Sequence, residues 1–277
     1  MKRFKIFYID NSNYTYNKRI HIDFFKYMEK YHDIIYYGKH HYSEFKNGIK
    51  PSNASLDFKN IMKKHNPHIF LSYNSNGSNI GKKNRDRFLW CEKEIRKLQI
   101  PKIHITTDYC RDGFSKKEEE WFYDLNYNLS LFRHKVSTRH PLSIKKMWFP
   151  FSVHEEQFSK NINKKFDSKK MKVGFCGTHS KDLYSERNKL IKFLEEKNLL
   201  NISKKIYKLR DSNYIKFFSS NIANLTCGGS PQYFTAKYFE IPASYSLLVC
   251  SKTDGLSCIP SEIALIYDSS NLNAFYE

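Results

Sequence analysis

The chain has 277 residues, and its content of 40% hydrophobic and 16% aromatic residues excludes a disordered protein. Lysine and arginine total 47 against 28 acidic residues, so the net charge of +19 favours an acidic partner: nucleic acid, an anionic membrane or a phosphorylated small molecule. The basic residues form no long basic arm, zinc module or RNA-binding signature, which places nucleic acid behind the other two partners.

The sequence carries no signal for secretion, membrane insertion or metal binding. The first apolar run ends at Asp10, too soon for a signal peptide, and no apolar stretch reaches the length of about eighteen residues that a membrane span needs. The six cysteines form no C-x-x-C pair and no metal pattern with histidine, and Cys176 and Cys250 fall in predicted strands as core residues. We therefore expect a cytoplasmic protein without a metal. Its positive charge can also attach it to an anionic membrane surface.

Strands and helices alternate along the first half of the chain. Apolar runs predict buried strands at residues 4–9, 34–37, 69–73, 102–106 and 129–132. Apolar residues at helical spacing predict helices at residues 20–31, 56–65 and 87–98. This alternation predicts a mostly parallel sheet with right-handed crossovers.

A second alternation follows an apolar segment with a proline at residues 148–152 and a charged stretch at residues 159–170. It consists of predicted strands at residues 171–176, 204–209, 222–226 and 247–250 and predicted helices at residues 183–197 and 212–219. We therefore predict two α/β domains, residues 1–165 and 166–277, with a boundary near residue 165. Open α/β sheets bind ligands at the carboxyl ends of their strands, so the two domains are expected to face a cleft.

The stretch from Ile222 to Ser251 holds the clearest signal for a site. Its first strand is followed by the turn residues Gly228 and Gly229, and then by Ser230 and Pro231. A serine that caps a helix and a proline in its first turn predict that a helix begins at Pro231. The backbone N–H groups and the helix dipole of such a turn bind phosphate oxygens, although an ordinary capped turn has the same pattern.

The helix predicted from Pro231 has two distinct sides and ends or kinks at Pro242. The residues of its apolar side are expected to pack on the sheet; they are Phe234, Tyr238 and Ile241. The residues of the other side can face a ligand; they are Tyr233, Lys237 and Glu240.

Three motifs, Lys237-Tyr-Phe-Glu-Ile-Pro-Ala243, Leu247-Leu-Val249 and Ile266-Tyr-Asp268, resemble the C-terminal domain of the CgeB-like glycosyltransferases, relatives of the group 1 enzymes of GT-B fold. That family carries Arg or Lys before a Phe-Glu pair, an apolar strand after it and a Tyr-Asp near the next strand. The likeness extends to Val173-Gly-Phe-Cys-Gly177 and Tyr184-Ser-Glu-Arg187 and is clearest over residues 171–277. It implies two Rossmann-like domains of GT-B type.

The resemblance implies that the C-terminal domain binds the nucleotide diphosphate of a sugar donor. Glu240 then accepts hydrogen bonds from ribose hydroxyls, Lys237 and Arg187 neutralise the diphosphate, and Gly177 lets the backbone approach the ligand. The other expected donor-binding residues are His179, Gly228, Gly229, Ser230, Gln232 and Tyr233. The alternatives are a surface pair between Lys237 and Glu240, a solvated Arg187 and a plain turn glycine.

Two features depart from the family. Group 1 relatives often carry two glutamates eight positions apart, and the position eight before Glu240 is Gln232, which cannot ionise. Retention or inversion of the sugar configuration is therefore open. The family also continues with further helices beyond the position of Asp268, so the C-terminal helices are expected to be short or missing here.

The acceptor is expected on the N-terminal domain. Asp108 follows the predicted strand at residues 102–106 and is our candidate for a general base or for orienting the acceptor hydroxyl. A lone aspartate after a strand is more often a helix cap or part of an Asx turn. His104, on that strand, is expected to be a core histidine.

The sequence thus predicts a metal-independent glycosyltransferase without a cofactor, which moves a sugar from a nucleotide donor to a hydroxyl of a glycan, a lipid-linked or a protein acceptor. GT-B enzymes generally stabilise the leaving diphosphate with basic side chains, and no Asp-x-Asp motif follows a strand here. Two alternatives stay open: a basic nucleic-acid-binding protein, and a GT-B-like scaffold without activity.

Overall fold

The computed structural model describes residues 2–10, 24–38, 41–51, 55–74, 91–106, 123–139, 143–150, 152–153, 155–162, 169–177, 184–203, 212–227 and 233–273. The chain divides into two compact units, Met1–Phe149 and Pro150–Glu277. The boundary predicted near residue 165 lies outside the described residues and stays a prediction.

The first unit is built on a seven-stranded sheet in the order β3-β2-β1-β4-β5-β6-β7, and every pair of neighbours is parallel. Its strands are β1 (Lys5–Asp10), β2 (Asp33–Gly38), β3 (Asn47–Ile49), β4 (Ile69–Asn74), β5 (Lys102–Thr106), β6 (Leu129–Phe132) and β7 (Lys145–Trp148). Residues 24–28 are helical, and the helices α1 (Ser55–His65) and α2 (Glu92–Lys97) follow.

Both faces of this sheet are buried, because a parallel sheet carries its crossover helices on both sides. Along β1, Phe7 and Ile9 enter one apolar layer, while Ile6 and Tyr8 enter the other. The ring of Tyr8 stacks on Phe25 with centroids 3.9 Å apart. Both faces of β1 therefore need apolar side chains, which explains why its sequence does not alternate between apolar and polar residues.

The second unit carries a five-stranded sheet in the order β12-β11-β10-β8-β9, again with parallel neighbours throughout. Its strands are β8 (Lys170–Phe175), β9 (Leu200–Ile202), β10 (Asn221–Thr226), β11 (Leu247–Ser251) and β12 (Ala264–Tyr267). Its helices are α3 (Glu155–Asn161), α4 (Ser185–Glu196), α5 (Ser212–Ser219) and α6 (Lys237–Ala243). In the described part of the chain, no helix is both long and apolar enough to cross a membrane.

The short edge strands are where the sequence predictions fall short. The sequence predicts neither β3 nor β7, which have three and four residues and no fully buried member. The strand predicted at residues 204–209 lies outside the described residues, and the strand that pairs with β8 is β9 at Leu200–Ile202. Edge strands expose much of their surface, so an apolar run does not mark them.

A buried amide network joins α5 to the sheet. The Asn224 side-chain amide donates to the Phe218 carbonyl at 2.8 Å and to Ser246 Oγ at 2.6 Å. The Asn221 amide donates to the Phe217 carbonyl at 2.7 Å and to Asn224 Oδ1 at 3.2 Å. Each buried polar group of this network therefore has a partner that fixes the end of α5 on β10.

Gly174 on β8 leaves the space that this network occupies, and Gly174→Ala is expected to destabilise the second unit. A Cβ at position 174 would lie 2.0 Å from Asn224 Oδ1 and 2.4 Å from Asn221 Nδ2, so both amides would have to move. We expect a loss of about 3 kcal/mol in the free energy of unfolding, measured by urea denaturation. Met171→Ala, at a side chain that is 70% exposed on the same strand, is the control and should change little. Equal stability of Gly174→Ala and wild type would contradict the proposed role of the network.

Candidate functional site

Polar and charged side chains gather at the carboxyl ends of β8 and β10 in the second unit. β8 is followed by Cys176 and Gly177, and β10 is followed by Cys227. Lys237, the first residue of α6, lies close enough to interact electrostatically with both thiols. These positions form the end of the sheet at which parallel α/β domains bind their ligands.

The prediction that this helix begins at Pro231 is wrong. Tyr233, Phe234 and Thr235 are not helical, and α6 runs only from Lys237 to Ala243. The Phe234 ring is fully buried and stacks on Tyr238 with centroids 4.5 Å apart, so packing of this segment overrides the local capping signal. The turn predicted to bind phosphate, residues 228–230, lies outside the described residues and stays a prediction, but α6 begins only at Lys237 and not directly after it.

Phe234, Tyr238 and Ile241 are fully buried, as predicted for the apolar side, although Phe234 lies before α6. The other side is also withdrawn from solvent. Tyr233 and Glu240 are each only 8% exposed, and Lys237 is partly buried. Lys237 and Glu240 are therefore not the exposed surface pair that the sequence left as an alternative.

The Lys237 ammonium group has no hydrogen bond and no carboxylate oxygen within 4.0 Å among the described residues. Burial lowers its pKa, and the nearby Arg187 cation lowers it further, whereas Cys176 and Glu240 act in the opposite direction. A desolvated cation without an ion pair is costly, and an anionic ligand would remove that cost.

Gly177 allows Lys237 to take this position. A Cβ on Gly177 would lie 3.3 Å from Lys237 Nζ and 2.8 Å from Cζ of Phe175. A side chain at this position would crowd Phe175 and Lys237, so the packing of the site favours glycine here. It also brings the backbone after β8 next to the ammonium group.

Arg187 on α4 is a second buried cation of the site. Its residue is 3% exposed, and its guanidinium carbon lies 3.7 Å from the centroid of the Tyr184 ring and 4.9 Å from that of Phe175. The two rings hold the guanidinium plane through cation–π contacts. Arg187 is thus not the solvated helix residue of the alternative interpretation.

Glu240 is the carboxylate of the site. The Tyr214 hydroxyl on α5 donates a 2.7 Å hydrogen bond to Glu240 Oε2. Burial raises the pKa of Glu240, and the Tyr214 hydrogen bond and the Lys237 cation both act against that rise. Glu240 thus lies in the electrostatic environment of the Lys237 cation, with Tyr214 fixing one of its oxygens.

Tyr214 is the site residue that the sequence analysis missed. It lies one turn before the buried Phe218 on α5, and the two rings meet edge to face with centroids 4.6 Å apart. An aromatic side chain with a polar end beside an apolar stripe is the only signal the sequence offers for it.

The structure brings Gly177, Arg187, Lys237 and Glu240 together and places Tyr233 in buried backbone just before α6. The other predicted site residues lie outside the described residues and stay predictions: Asp108, His179, Gly228, Gly229, Ser230 and Gln232.

His104 is a core histidine, as predicted. Its side chain is fully buried, its Nδ1 lies 2.6 Å from Ser72 Oγ, and burial lowers its pKa to about 3. Cys176 and Cys250 are buried free thiols, which confirms their assignment to the core. The described ranges contain no group of three or more His, Cys, Asp or Glu residues that could hold a metal ion, and metal independence stays a prediction.

No protein-family model matches the sequence, and no curated protein matches it. Solved structures are similar to it in fold. One is a UDP-N-acetylglucosamine 2-epimerase, with a TM-score of 0.52 and 9% identity, covering 99% of this chain and 86% of the other. Another is the UDP-GlcNAc 2-epimerase from Neisseria meningitidis bound to UDP-GlcNAc, with a TM-score of 0.49, 10% identity, and coverage of 98% and 90%.

A third similar structure is that of Phytolacca americana UGT2 complexed with UDP-2fluoro-glucose and pterostilbene, with a TM-score of 0.45, 9% identity, and coverage of 99% and 83%. At this identity the similarity concerns the fold alone. Together with the two parallel sheets, the fold of the first of these structures confirms the predicted class, an α/β protein of two Rossmann-like domains of GT-B type.

Proposed function

We propose that this protein is a glycosyltransferase that binds a nucleotide-sugar donor at the carboxyl ends of β8 and β10. One observation carries the proposal. Lys237 holds a partly buried ammonium group without a carboxylate within ion-pair distance in the described structure, and a second buried cation, Arg187, lies beside it. A desolvated ammonium group without an ion pair costs stability unless an anion binds, and the diphosphate of a nucleotide sugar is an anion of suitable charge.

The chemistry assigned to each residue follows from its surroundings. During transfer, the bond between the anomeric carbon and the diphosphate oxygen breaks, and negative charge grows on the leaving nucleoside diphosphate. Lys237 and Arg187 would stabilise that charge from a desolvated setting, where electrostatic effects are strong. The Glu240 oxygen that Tyr214 does not occupy would accept hydrogen bonds from the ribose hydroxyls.

We expect the acceptor to bind to the first unit, and this part of the proposal is based on the sequence. The acceptor hydroxyl attacks the anomeric carbon and loses its proton to a base, for which Asp108 is our candidate. A glycan, a lipid-linked or a protein hydroxyl would serve as acceptor. The proposal includes membership of the CgeB-like family, which the sequence motifs support. It also includes a cytoplasmic location, which the cysteine pattern of the sequence favours.

A second candidate function uses the same site. One similar structure, with a TM-score of 0.52, is a UDP-N-acetylglucosamine 2-epimerase. An enzyme that rearranges the sugar while it stays on the nucleotide would need the same diphosphate and ribose contacts, but no acceptor. Analysis of the products separates the two: transfer releases a nucleoside diphosphate and a new glycoside, whereas epimerisation returns a nucleotide sugar of unchanged mass.

The donor site is tested by thermal unfolding against a panel of UDP, GDP, ADP, CMP and their sugar conjugates at moderate salt. A ligand present at about a hundred times its dissociation constant adds roughly 2.7 kcal/mol to the stability of the folded state. We expect one nucleotide to raise the midpoint clearly above the others. A flat panel, with stabilisation by polyanions only, would refute the donor site and favour the nucleic-acid alternative.

Chelation is expected to leave both donor binding and turnover unchanged. The proposed site neutralises the diphosphate with Lys237 and Arg187, so no metal ion is required for that task. The measurement repeats the thermal panel and the transfer assay in EDTA. Loss of either signal on chelation, with recovery on adding Mg²⁺ or Mn²⁺, would overturn metal independence.

A further inference from the structure

We propose that the amino end of the five-stranded sheet is a docking surface for an anionic phospholipid membrane. Large apolar side chains are exposed together at this end: Met171 at the start of β8 is 70% exposed, Tyr245 in the turn before β11 is 58% exposed, and Leu247 at the start of β11 is 41% exposed. Exposed apolar side chains in a cluster mark an interaction surface more often than isolated ones do.

These residues are neighbours in space. β8 and β11 both pair with β10, and Val173 and Leu247 are partners of the same residue, Ala223. The Lys169 ammonium group donates to the carbonyl oxygen of Tyr245, which links the start of β8 to the turn before β11. We call the surface formed by Met171, Tyr245, Leu247 and the lysines around them the amino-end surface.

Tyr245 provides an independent sign that the surface has a role. It follows α6 with φ of 56°, in the left-handed region where glycine or asparagine is favoured, and it is exposed despite its large ring. A bulky residue in a strained backbone position suggests a function for its side chain. Tyrosine rings are enriched where an apolar phase meets water.

Lysines lie on the elements that carry or precede the apolar side chains. Lys170 is exposed at the start of β8, Lys172 donates to Asn198 Oδ1 at 3.2 Å, and Lys216 is exposed in the last turn of α5, which leads into β10. Three described acidic residues also lie at this end of the sheet: Glu195 and Glu196 at the end of α4, where Lys192 lies 3.9 Å from Glu196, and the exposed Glu262 just before β12.

Exposed apolar side chains beside exposed lysines match the boundary of an anionic bilayer. The apolar side chains can enter the acyl region while the ammonium groups contact lipid phosphates and carboxylates. A nucleic acid would use the charges but would leave Met171 and Leu247 in water, so the membrane is the better fit. The amino-end surface lies opposite the carboxyl ends that hold the candidate donor site, and the inference does not depend on the proposed function.

Co-sedimentation with vesicles tests the proposal in the whole protein. We expect the protein to sediment with vesicles of equal parts phosphatidylcholine and phosphatidylserine, and not with phosphatidylcholine alone. The double variant Lys170→Glu, Met171→Ser should lower the partition coefficient about tenfold or more, because each lysine charge at an anionic surface contributes about fivefold.

The chain offers a matched control in β7, where the order Lys145, Lys146, Met147 repeats and Met147 is 50% exposed. The control variant Lys145→Glu, Met147→Ser carries the same change of charge and loses the same side chain, and we expect it to bind like the wild type. No binding of the wild type to mixed vesicles, or an equal loss in both variants, would overturn the proposal. Binding of an oligonucleotide that falls only in the Lys170 and Met171 variant, without vesicle binding, would assign the surface to nucleic acid instead.

Discussion

Lys237→Gln is expected to weaken the binding of a nucleotide sugar by about one hundredfold, because a charge-assisted contact to the diphosphate is lost from a desolvated site. The fold should not suffer. The ammonium group is a buried cation with no ion pair in the described structure, so its removal should leave the thermal midpoint unchanged or raise it. Titration calorimetry gives the affinity, and thermal unfolding without ligand gives the stability.

The control for this variant is Lys192→Gln. Lys192 lies on α4 with its side chain 79% exposed, 3.9 Å from Glu196, and an exposed pair of this kind contributes little. It removes the same charge from the same unit, so any loss shared by both variants reflects long-range charge alone. Unchanged affinity in Lys237→Gln, or a fall in its stability large enough to explain weak binding, would contradict the role given to Lys237.

The second large effect is a pH dependence set by Glu240. Burial raises its pKa above the ordinary value of 4.5, so the carboxylate becomes protonated at a higher pH than a free glutamate does. Ribose hydroxyls need the ionised form as acceptor, and donor affinity should therefore fall as the pH falls through this raised pKa. A nucleotide sugar is the right probe, since its phosphodiester groups keep their charge in this range.

Stability should change in the opposite direction. Because the folded state holds the proton of Glu240 more tightly than the unfolded chain does, its contribution to stability is greatest below pH 4.5 and is lost as the pH rises through the folded pKa. Glu240→Gln should remove both trends and keep the hydrogen bond from Tyr214. Glu195→Gln, at an exposed carboxylate near the other end of α4, is the control. A wild-type affinity that does not vary with pH across this range would refute the acceptor role of Glu240.

The central strands are the part of the fold that the sequence predicts well. β1, β5, β6 and β10 lie at the predicted short apolar runs, because parallel strands buried on both faces are mostly apolar. Buried polar residues such as Asn224 on β10 interrupt these runs, and their hydrogen bonds were not predicted from the sequence. The edge strands β3 and β9 have three residues each and are only partly buried, so the same signal does not reach them.

Local sequence patterns predict part of the candidate donor site, but not the contacts between distant residues. Lys237, Glu240, Arg187 and Gly177 are recognisable from motifs that resemble a glycosyltransferase family, and the structure brings them together. The helix start is wrong because Ser230 and Pro231 give a local signal, whereas the burial of Phe234 is decided by the whole sheet. Tyr214 was not predicted because its contact with Glu240 joins residues 26 positions apart on two different helices.

The most direct test of the donor site is to label the lysines with an acylating reagent, with and without the nucleotide sugar that the thermal panel selects. Mass spectrometry then gives the extent of acylation at each lysine. The lowered pKa of Lys237 leaves more of its amine in the reactive neutral form, so it should be labelled despite its partial burial. We expect the ligand to protect Lys237 strongly and to leave Lys192 and Lys170 unchanged. Acylation of Lys237 that is unaffected by a saturating ligand, with protection of lysines elsewhere, would show that the nucleotide binds at another place.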